Sequence, residues 1–300
     1  MGMIHPVRLA LVTNAASGGG TDADHVASLL RASGASVSVH LFDAGAVDGR
    51  PEDAIAAAAA EAVAERPDRL VVAGGDGSIG PVAVTAGGAD LPLAVVPTGT
   101  ANDFARAMDI PLDLEEACAL AAGDARERTV DILRAGDRPF LNAAAIGLSV
   151  IAANRARPFK RPLGPLAYAI GAIRAGVSAK PLRCRVVVDG GQVFAGEAWQ
   201  VIVAGTGAFG GGSEIGEVDL SDLLIDVAVM EAGPRVALVR RAWGMRRGSL
   251  LDQPGVHHAR GRTVDLELPA PMPFNVDGEV CDVSPTHFST RGERVRVVCA

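Results

Sequence analysis

The sequence lacks paired cysteines and long apolar runs, and each absence excludes a class of protein. Its cysteines, Cys118, Cys184, Cys281 and Cys299, are far apart and form no C-x-x-C pair. A zinc ribbon or a disulfide framework would need such pairs, so we expect four small buried hydrophobic residues instead. The longest apolar runs are short or interrupted by Arg174, and none reaches the roughly 20 residues of a membrane-spanning helix.

The sequence also lacks a basic excess, and we expect no leader segment. The formal net charge of -7 argues against a protein that coats nucleic acid by displacing phosphate counterions. The N-terminal stretch "MGMIHPVRLALVTN" has no basic start followed by a long apolar segment, so we predict no signal peptide and a cytoplasmic location. The chain has 300 residues, of which 49% are hydrophobic and 21% charged, which is typical of a soluble globular protein with two domains.

Residues 1–130 alternate strand-like and helix-like segments. The strand patterns "VRLALVT", "SVSVHLF", "RLVVAG" and "PLAVVP" are separated by amphipathic segments such as "DADHVASLLRASG" and by a helical run that opens with Pro51. This order predicts an α/β domain with a parallel, doubly wound sheet that is covered by helices on both faces.

Residues 131–300 carry short strand-like segments that are separated by Gly and Asp turns. Examples are "LRCRVVVDGGQVFAGE", "LLIDVAVM" and "FNVDGEVCDV". Such a pattern is typical of an antiparallel β domain, and we predict a β-sandwich. No flexible linker separates the two domains, so we expect them to pack closely, with the ligand site in the cleft between them.

Three loops rich in small and hydroxyl residues follow strands of the predicted parallel sheet. They read "TNAASGGG", "GGDGS" and "PTGTANDFA". Ligands of such sheets bind beyond the carboxyl ends of the strands, where backbone amides can approach phosphate. None of the loops matches the Walker A or G-x-G-x-x-G pattern, and a tight turn alone can require glycine. Three such loops at one edge nevertheless favour a nucleotide phosphate tail as the ligand.

Several of the candidate aspartates also have local explanations. Thr100 and Asp103 have the spacing of a capping box, which on spacing alone is the favoured interpretation and makes Asp103 the start of a helix. The Asp-Gly pairs at 189–190 and 277–278 are typical of hairpin turns. Asp76 differs from them, because its strand lies in a predicted parallel sheet where no hairpin can form.

The combination of "GGDGS" with "VVPTGTANDFARAM" resembles the diacylglycerol kinase catalytic-domain superfamily, and specifically its bacterial soluble lipid kinases. The segments "FLNAAAIGLSV", "GPLAY" and "NVDGEV" follow in the family's order, so the resemblance covers residues 8–283. Sphingosine and ceramide kinases belong to the same superfamily, and NAD kinases share the fold. The resemblance implies ATP as the phosphate donor, Mg²⁺ as a cofactor and a lipid hydroxyl as the acceptor.

The resemblance also implies which residues bind ATP. They lie in the three loops and are Asn14, Ser17, Gly18, Gly74, Gly75, Asp76, Gly77, Ser78, Gly99, Thr100 and Asn102. Phosphoryl transfer is catalysed mainly by positioning and by neutralising phosphate oxygens, so amides, Mg²⁺ and a few carboxylates suffice.

Four carboxylates are implied to take part in catalysis. Asp76 and Asp103 belong to the network that orders metal and water around the phosphates. The base that deprotonates the lipid hydroxyl falls in the D-G-E motif, on Glu279 with Asp277 alongside. A second metal is implied at Asp219, Asp222 and the carbonyl of Leu224.

The sequence departs from the family pattern at several positions. Gly80 and Pro81 stand where Asn-Glu is common, Leu223 stands where glycine is usual, and Ser78 replaces threonine. These changes bear on ATP and metal binding. They leave a catalytically impaired nucleotide- or lipid-binding homologue open as an alternative, beside an NAD kinase-like enzyme with a soluble substrate.

Two basic segments interleaved with apolar residues are candidate membrane contacts. Their cations are Arg155, Arg157, Lys160, Arg161, Arg240, Arg241, Arg246 and Arg247. Either segment suits an anionic bilayer surface, and a solvated helix face explains each equally well. We therefore expect a cytoplasmic, ATP-dependent lipid kinase that acts on a diacylglycerol-like or sphingoid lipid at the inner face of the membrane, with a homodimer left open.

Overall fold

The chain forms two compact units. The computed structural model describes residues 6–15, 23–43, 50–148, 150, 180–209, 212–216, 218–281 and 285–300. The first unit contains Met1–Ile132 and Glu293–Ala300, and the second contains Leu133–Gly292.

The first unit is built on a parallel sheet. Its strands and helices are β1 Arg8–Asn14, α1 Ala23–Ala32, β2 Ser36–Phe42, α2 Pro51–Ala64, β3 Arg69–Gly74, α3 Asp76–Gly88, β4 Leu93–Pro97, α4 Asp103–Ala107 and α5 Leu114–Ala122. The strand order is β4-β3-β1-β2, and each neighbouring pair is parallel.

Both faces of this sheet are buried, which explains its continuous apolar strands. Leu9 and Leu11 of β1 pack with Val26 of α1 and Cys118 of α5 in one cluster. The alternate strand residues point to the opposite face and are equally buried, and there α2 and α3 pack against the strands and each other. The predicted doubly wound α/β fold is confirmed.

The second unit is mainly antiparallel. From the boundary onward the elements are β5 Arg126–Ala135, β6 Arg138–Phe140, β7 Ala143–Gly147, β8 Leu182–Val188, β9 Gly191–Ala204, β10 Ala208–Phe209, β11 Ser213–Glu214, β12 Ile225–Glu231, α6 Val236–Arg246, β13 Val256–Gly261, β14 Thr263–Glu267, β15 Phe274–Val276, β16 Glu279–Cys281 and β17 His287–Cys299. The long strand β9 pairs with β7, β8 and β12. None of the described helices combines the length and apolar composition that crossing a membrane requires.

Two Asp-Gly pairs form hairpin turns, as predicted. Asp189 and Gly190 join β8 to β9, Asp277 and Gly278 join β15 to β16, and all four have positive φ angles of 45–83°, which is the backbone of a type I′ turn. The Asp189 carboxylate also accepts hydrogen bonds from the amides of the 262–263 segment. The third pair, at 48–49, lies outside the described residues.

The last strand, β17, has a dual role. Its beginning pairs with β14 in the second unit, and its end pairs in parallel with β4, with Val297 opposite Leu93. Residues Glu293–Ala300 therefore belong to the first unit, although the sequence places them in a run of strands that continues from the second.

Candidate functional site

The three small-residue loops leave the same edge of the first unit's sheet. Asn14 ends β1, Gly74 ends β3 and Pro97 ends β4. The strands β4, β3 and β1 are neighbours, and their last pairs include Thr13 opposite Ala73 and Gly74 opposite Pro97. The loops therefore begin side by side, where a parallel sheet places its ligands. Ser17 and Gly18, in the first loop, lie outside the described residues.

The second and third loops touch each other through glycines. The Thr98 amide donates to the Gly74 carbonyl at 3.1 Å. A Cβ on Gly99 would lie 2.6 Å from the Gly75 Cα atom, which is closer than carbon atoms approach. The Asn102 side chain closes the third loop by accepting from the Gly99 amide and donating to its carbonyl. Glycine is therefore needed because two backbones meet here.

The GGDG segment is a strand-to-helix junction. Gly75 is the N-cap of α3, and Asp76 is the first helical residue. The first-turn amides of a helix have no carbonyl partner within the helix, and the helix dipole favours an anion beside them. Ser78, in the same turn, has its hydroxyl against Gly74, where an added Cβ would lie 2.9 Å away.

Asp76 and Asp103 are both buried, with exposed fractions of 8% and 4%. Oδ1 of Asp76 accepts a hydrogen bond of 2.9 Å from the Phe104 amide, in the first turn of α4. Asp103 is the first residue of α4, as predicted, but Thr100 does not cap that helix. Asn102 rather than Thr100 precedes α4, with φ of 51° and no side-chain cap, because an aspartate from another helix already supplies the capping oxygen.

Two buried carboxylates beside a helix N-terminus would repel phosphate unless a cation accompanied it. Mg²⁺ prefers oxygen ligands, and it is commonly held by one or two carboxylates together with phosphate and water. Asp76 and Asp103 fit that requirement. Within the described ranges, His, Cys, Asp and Glu side chains do not gather in threes around a point that could hold a metal.

In the second unit, the D-G-E motif separates into a fixed carboxylate and an accessible one. Asp277 is buried, and its carboxylate accepts hydrogen bonds from the amides of Leu141, Asn142 and Ala143 at 2.9–3.1 Å. Glu279 is about half exposed, and its Oε2 lies 2.7 Å from Nη2 of Arg138. The turn is therefore tied to the 141–143 segment, while Glu279 faces solvent.

The Asp222 carboxylate already has a cation beside it. Its Oδ1 accepts from the Leu224 amide, and its Oδ2 pairs with Nη2 of Arg260. The Arg260 Nε also donates to Asp226, which is almost fully buried. Asp219 is exposed and accepts from the nearby 221 amide. A metal ion at Asp219, Asp222 and Leu224 would have to displace the arginine, so these residues do not fit a second metal as they stand.

Arg138 and Arg260 are absent from the residues that the sequence singled out. Each lies far along the chain from its partner, Arg138 from Glu279 and Arg260 from Asp222. Neither belongs to a motif, so no local signal marks them, and only the strand pairing brings them to the carboxylates.

The departures from the family pattern are accommodated in the backbone. Helix α3 continues through Gly80 and Pro81 to Gly88, and both residues are buried. Leu223 has a φ of 59°, which is the left-handed region where glycine fits without strain. The usual glycine at this position thus has a physical reason, and leucine adopts the same conformation at a cost.

The basic residues predicted to contact a membrane do not share one role. Those at 155–161 lie outside the described residues, as does the side chain of Arg246. Arg240 and Arg247 are exposed. Arg241 does not have the exposed position that a membrane contact requires. It is buried, and its guanidinium donates to the carbonyls of Glu231 and Gly255. Burial lowers the pKa of Arg241. Its hydrogen bonds to backbone carbonyls stabilise the fold.

Comparisons with known proteins agree with these observations. Residues 8–135 match the family model "Diacylglycerol kinase catalytic domain", and residues 142–299 match "YegS C-terminal NAD kinase beta sandwich-like domain". A diacylglycerol kinase of Mycobacterium tuberculosis is 29% identical over 77% of this chain and 76% of its own length. A Pseudomonas putida protein named "Probable lipid kinase YegS-like" is 34% identical over 77% of each chain.

A crystal structure described as a diacylglycerol kinase from Bacillus anthracis str. Sterne has the same fold. It superposes with a TM-score of 0.76 at 21% identity, covering 98% of this chain and 97% of that one. The β-sandwich-like character of the second unit and the α/β character of the first are thereby confirmed. The chain belongs to the family of lipid kinases that joins a diacylglycerol kinase catalytic domain to a YegS-type C-terminal domain.

Proposed function

We propose that this protein transfers the γ-phosphate of ATP to a hydroxyl of a diacylglycerol-like or sphingoid lipid. The observation that carries the proposal is the junction of the GGDG and PTGT loops, where Gly75 meets Gly99 and the buried Asp76 and Asp103 begin helices α3 and α4. Small residues leave room for the phosphates, and a cation is needed to offset the negative charge of the carboxylates and the phosphates together.

The first unit binds the nucleotide in this proposal. Asn14, Gly74 and Pro97 set the edge where the phosphate chain lies, and the first-turn amides of α3 face its negative charge. Asp76 and Asp103 would hold the Mg²⁺ that travels with ATP, and that ion would neutralise charge on the phosphate oxygens. The ATP-binding roles of Ser17, Gly18, Ser78, Thr100 and Asn102 remain predictions of the same hypothesis.

The second unit supplies the base. Three backbone amides already donate hydrogen bonds to the Asp277 carboxylate. A proton on that carboxylate would compete with these hydrogen bonds, so we assign Asp277 a positioning role. Glu279 is about half exposed, whereas its partner Arg138 is 19% exposed. In this proposal the ion pair between them opens when the lipid hydroxyl binds. Glu279 takes the lipid hydroxyl proton, the lipid oxygen bonds to the γ-phosphorus, and the bond from that phosphorus to the β–γ bridging oxygen breaks to release ADP.

We further propose that Arg260 supplies the positive charge that the family resemblance assigns to a second metal. Its guanidinium lies between Asp222 and the buried Asp226. A permanent side-chain cation stabilises these carboxylates without a divalent ion, and a metal at Asp219, Asp222 and Leu224 is then unnecessary for folding.

The proposed reaction is tested with γ-labelled ATP and a panel of diacylglycerol, sphingosine, ceramide and NAD. Transfer to a lipid is expected, and Glu279→Gln is expected to lower kcat by about 10²- to 10⁴-fold, the usual contribution of a general base. Glu267→Gln is the matched control, because Glu267 is equally exposed and forms an ion pair of 2.7 Å with Arg185. ATP binding should survive both changes.

Other outcomes would favour the alternatives. Phosphorylation of NAD instead of any lipid would indicate an NAD kinase-like enzyme. Binding of ATP without transfer to any acceptor would contradict the kinase proposal and favour a nucleotide- or lipid-binding homologue.

A further inference from the structure

One side of α6 exposes two large hydrophobic residues together with two arginines. Val236 and Trp243 are 77% and 61% exposed, and Arg240 and Arg247 are exposed as well. Their spacing of four, three and four residues places all of them on one side of a helix. We call this set, Val236, Arg240, Trp243 and Arg247, the outer stripe of α6.

The inner face of the same helix is already used by the fold. Leu238 and Met245 pack into the cluster that contains Trp199 and Met230, and Arg241 is anchored by backbone carbonyls. The outer stripe is therefore separate from the side of α6 that packs into the core. Among the described residues of the second unit, Val236 and Trp243 are the large hydrophobic side chains that remain exposed.

The charged residues of the segment that carries the stripe are all basic, and the Glu214 carboxylate lies beside Gly248 at its end. Residues 232–251 contain five arginines and no aspartate or glutamate, in a chain whose net charge is -7. The Arg247 guanidinium lies 4.6 Å from the centre of the Trp243 ring, so an aromatic ring and a cation form one joint surface. An anion-rich partner with an apolar layer behind it matches both features.

We infer that the outer stripe of α6 docks the protein on an anionic lipid bilayer. Tryptophan partitions to the boundary between head groups and acyl chains, and arginines beside it are attracted to anionic head groups. The inference rests on the proposed function, since an enzyme whose substrate lies in a membrane needs a surface of this kind. Of the four arginines predicted in this segment, the stripe contains Arg240 and Arg247, and the buried Arg241 is excluded from it.

The two tryptophans of the chain provide a direct readout. Trp199 is 4% exposed and Trp243 is 61% exposed, so the Trp243 fluorescence should shift to shorter wavelength when the stripe enters a bilayer. Vesicles of phosphatidylcholine mixed with phosphatidylglycerol are expected to cause the shift, and brominated acyl chains are expected to quench it. Vesicles of phosphatidylcholine alone should cause a much smaller shift. The Trp243→Phe variant should lose the shift, because only the buried tryptophan then reports.

Co-sedimentation with the same vesicles measures the contribution of the arginines. Each basic residue near an anionic surface contributes about fivefold to partitioning, so Arg240→Ala with Arg247→Ala is expected to lower binding about 30-fold. The matched control is Arg183→Ala with Arg185→Ala, which removes two cations from β8 of the same unit and should leave binding unchanged. All of these side chains are at the surface, so the variants should fold.

The outcomes separate this inference from the kinase proposal. Stripe variants should keep their activity on a short-chain lipid dispersed in detergent and lose it on vesicles. Vesicle binding that persists in the stripe variants, or a stripe that instead mediates self-association, would overturn the inference. Binding through Trp243 without any phosphate transfer would support the docking surface while contradicting the proposed reaction.

Discussion

Arg260 is the side chain on which the proposal about the second metal depends. It pairs with Asp222 and donates to Asp226, whose carboxylate is almost completely buried. Arg260→Ala is expected to lower the free energy of unfolding by about 1.5–3 kcal/mol, the range for a hydrogen bond to a charged group. Added Mg²⁺ should restore part of the lost stability, because the ion can bind beside Asp222 and Asp226 where the guanidinium was. Urea unfolding without nucleotide, with and without Mg²⁺, measures both effects.

The control for Arg260 is Arg185→Ala. Arg185 also pairs with a carboxylate, that of Glu267, but both side chains are about half exposed, so the loss should stay below about 1 kcal/mol and show no Mg²⁺ effect. If Mg²⁺ stabilised the wild-type protein, and Asp222→Asn abolished that stabilisation, a metal rather than Arg260 would hold the segment.

At the scale of elements, the approach of two backbones makes the proposed phosphate-binding edge sensitive to small changes in side-chain size. Gly99→Ala places a methyl group 2.6 Å from the Gly75 Cα atom and 2.7 Å from Oδ1 of Asn102. We expect a loss of about 1–3 kcal/mol of stability, because overpacking forces the loops apart, and weaker ATP binding. Thermal unfolding and nucleotide titration measure the two effects.

Gly88→Ala tests whether the effect of Gly99→Ala is specific. Gly88 lies in the last turn of α3, and an added Cβ would have no neighbour within 4 Å. Alanine there should stabilise the protein by about 0.5–1 kcal/mol and leave ATP binding unchanged. Equal behaviour of the two variants would show that the contact between the second and third loops has no importance for binding.

At the scale of the whole molecule, the chain end completes the first unit. Val297 pairs with Leu93, and Arg294 and Arg296 pair with Asp131 and Glu127. A chain that ends at Gly292 loses buried valines worth about 1.5–3 kcal/mol each. We expect its first unit to become protease-sensitive and to lose ATP binding. Removal of Ala300 alone is the control, and a truncated chain that still binds ATP would contradict the expectation.

Much of the fold follows from patterns along the chain. The strands of the first unit were predicted because burial on both faces gives continuous apolar runs, and the two hairpin turns were predicted because Asp-Gly suits a type I′ backbone. The capping box at Thr100 was wrong for a physical reason. Local spacing cannot show that Asp76 supplies the cap to Phe104 from a neighbouring helix.

The sequence alone determined the fold class, the three loops at strand ends and the family, because these depend on periodicity and on motifs within short segments. The tertiary structure decided which side chains meet. Pairing of distant strands set Arg260 beside Asp222 and Arg138 beside Glu279, and packing turned Arg241 inward while leaving Trp243 exposed. Such contacts join residues far apart in the chain, so no local pattern records them.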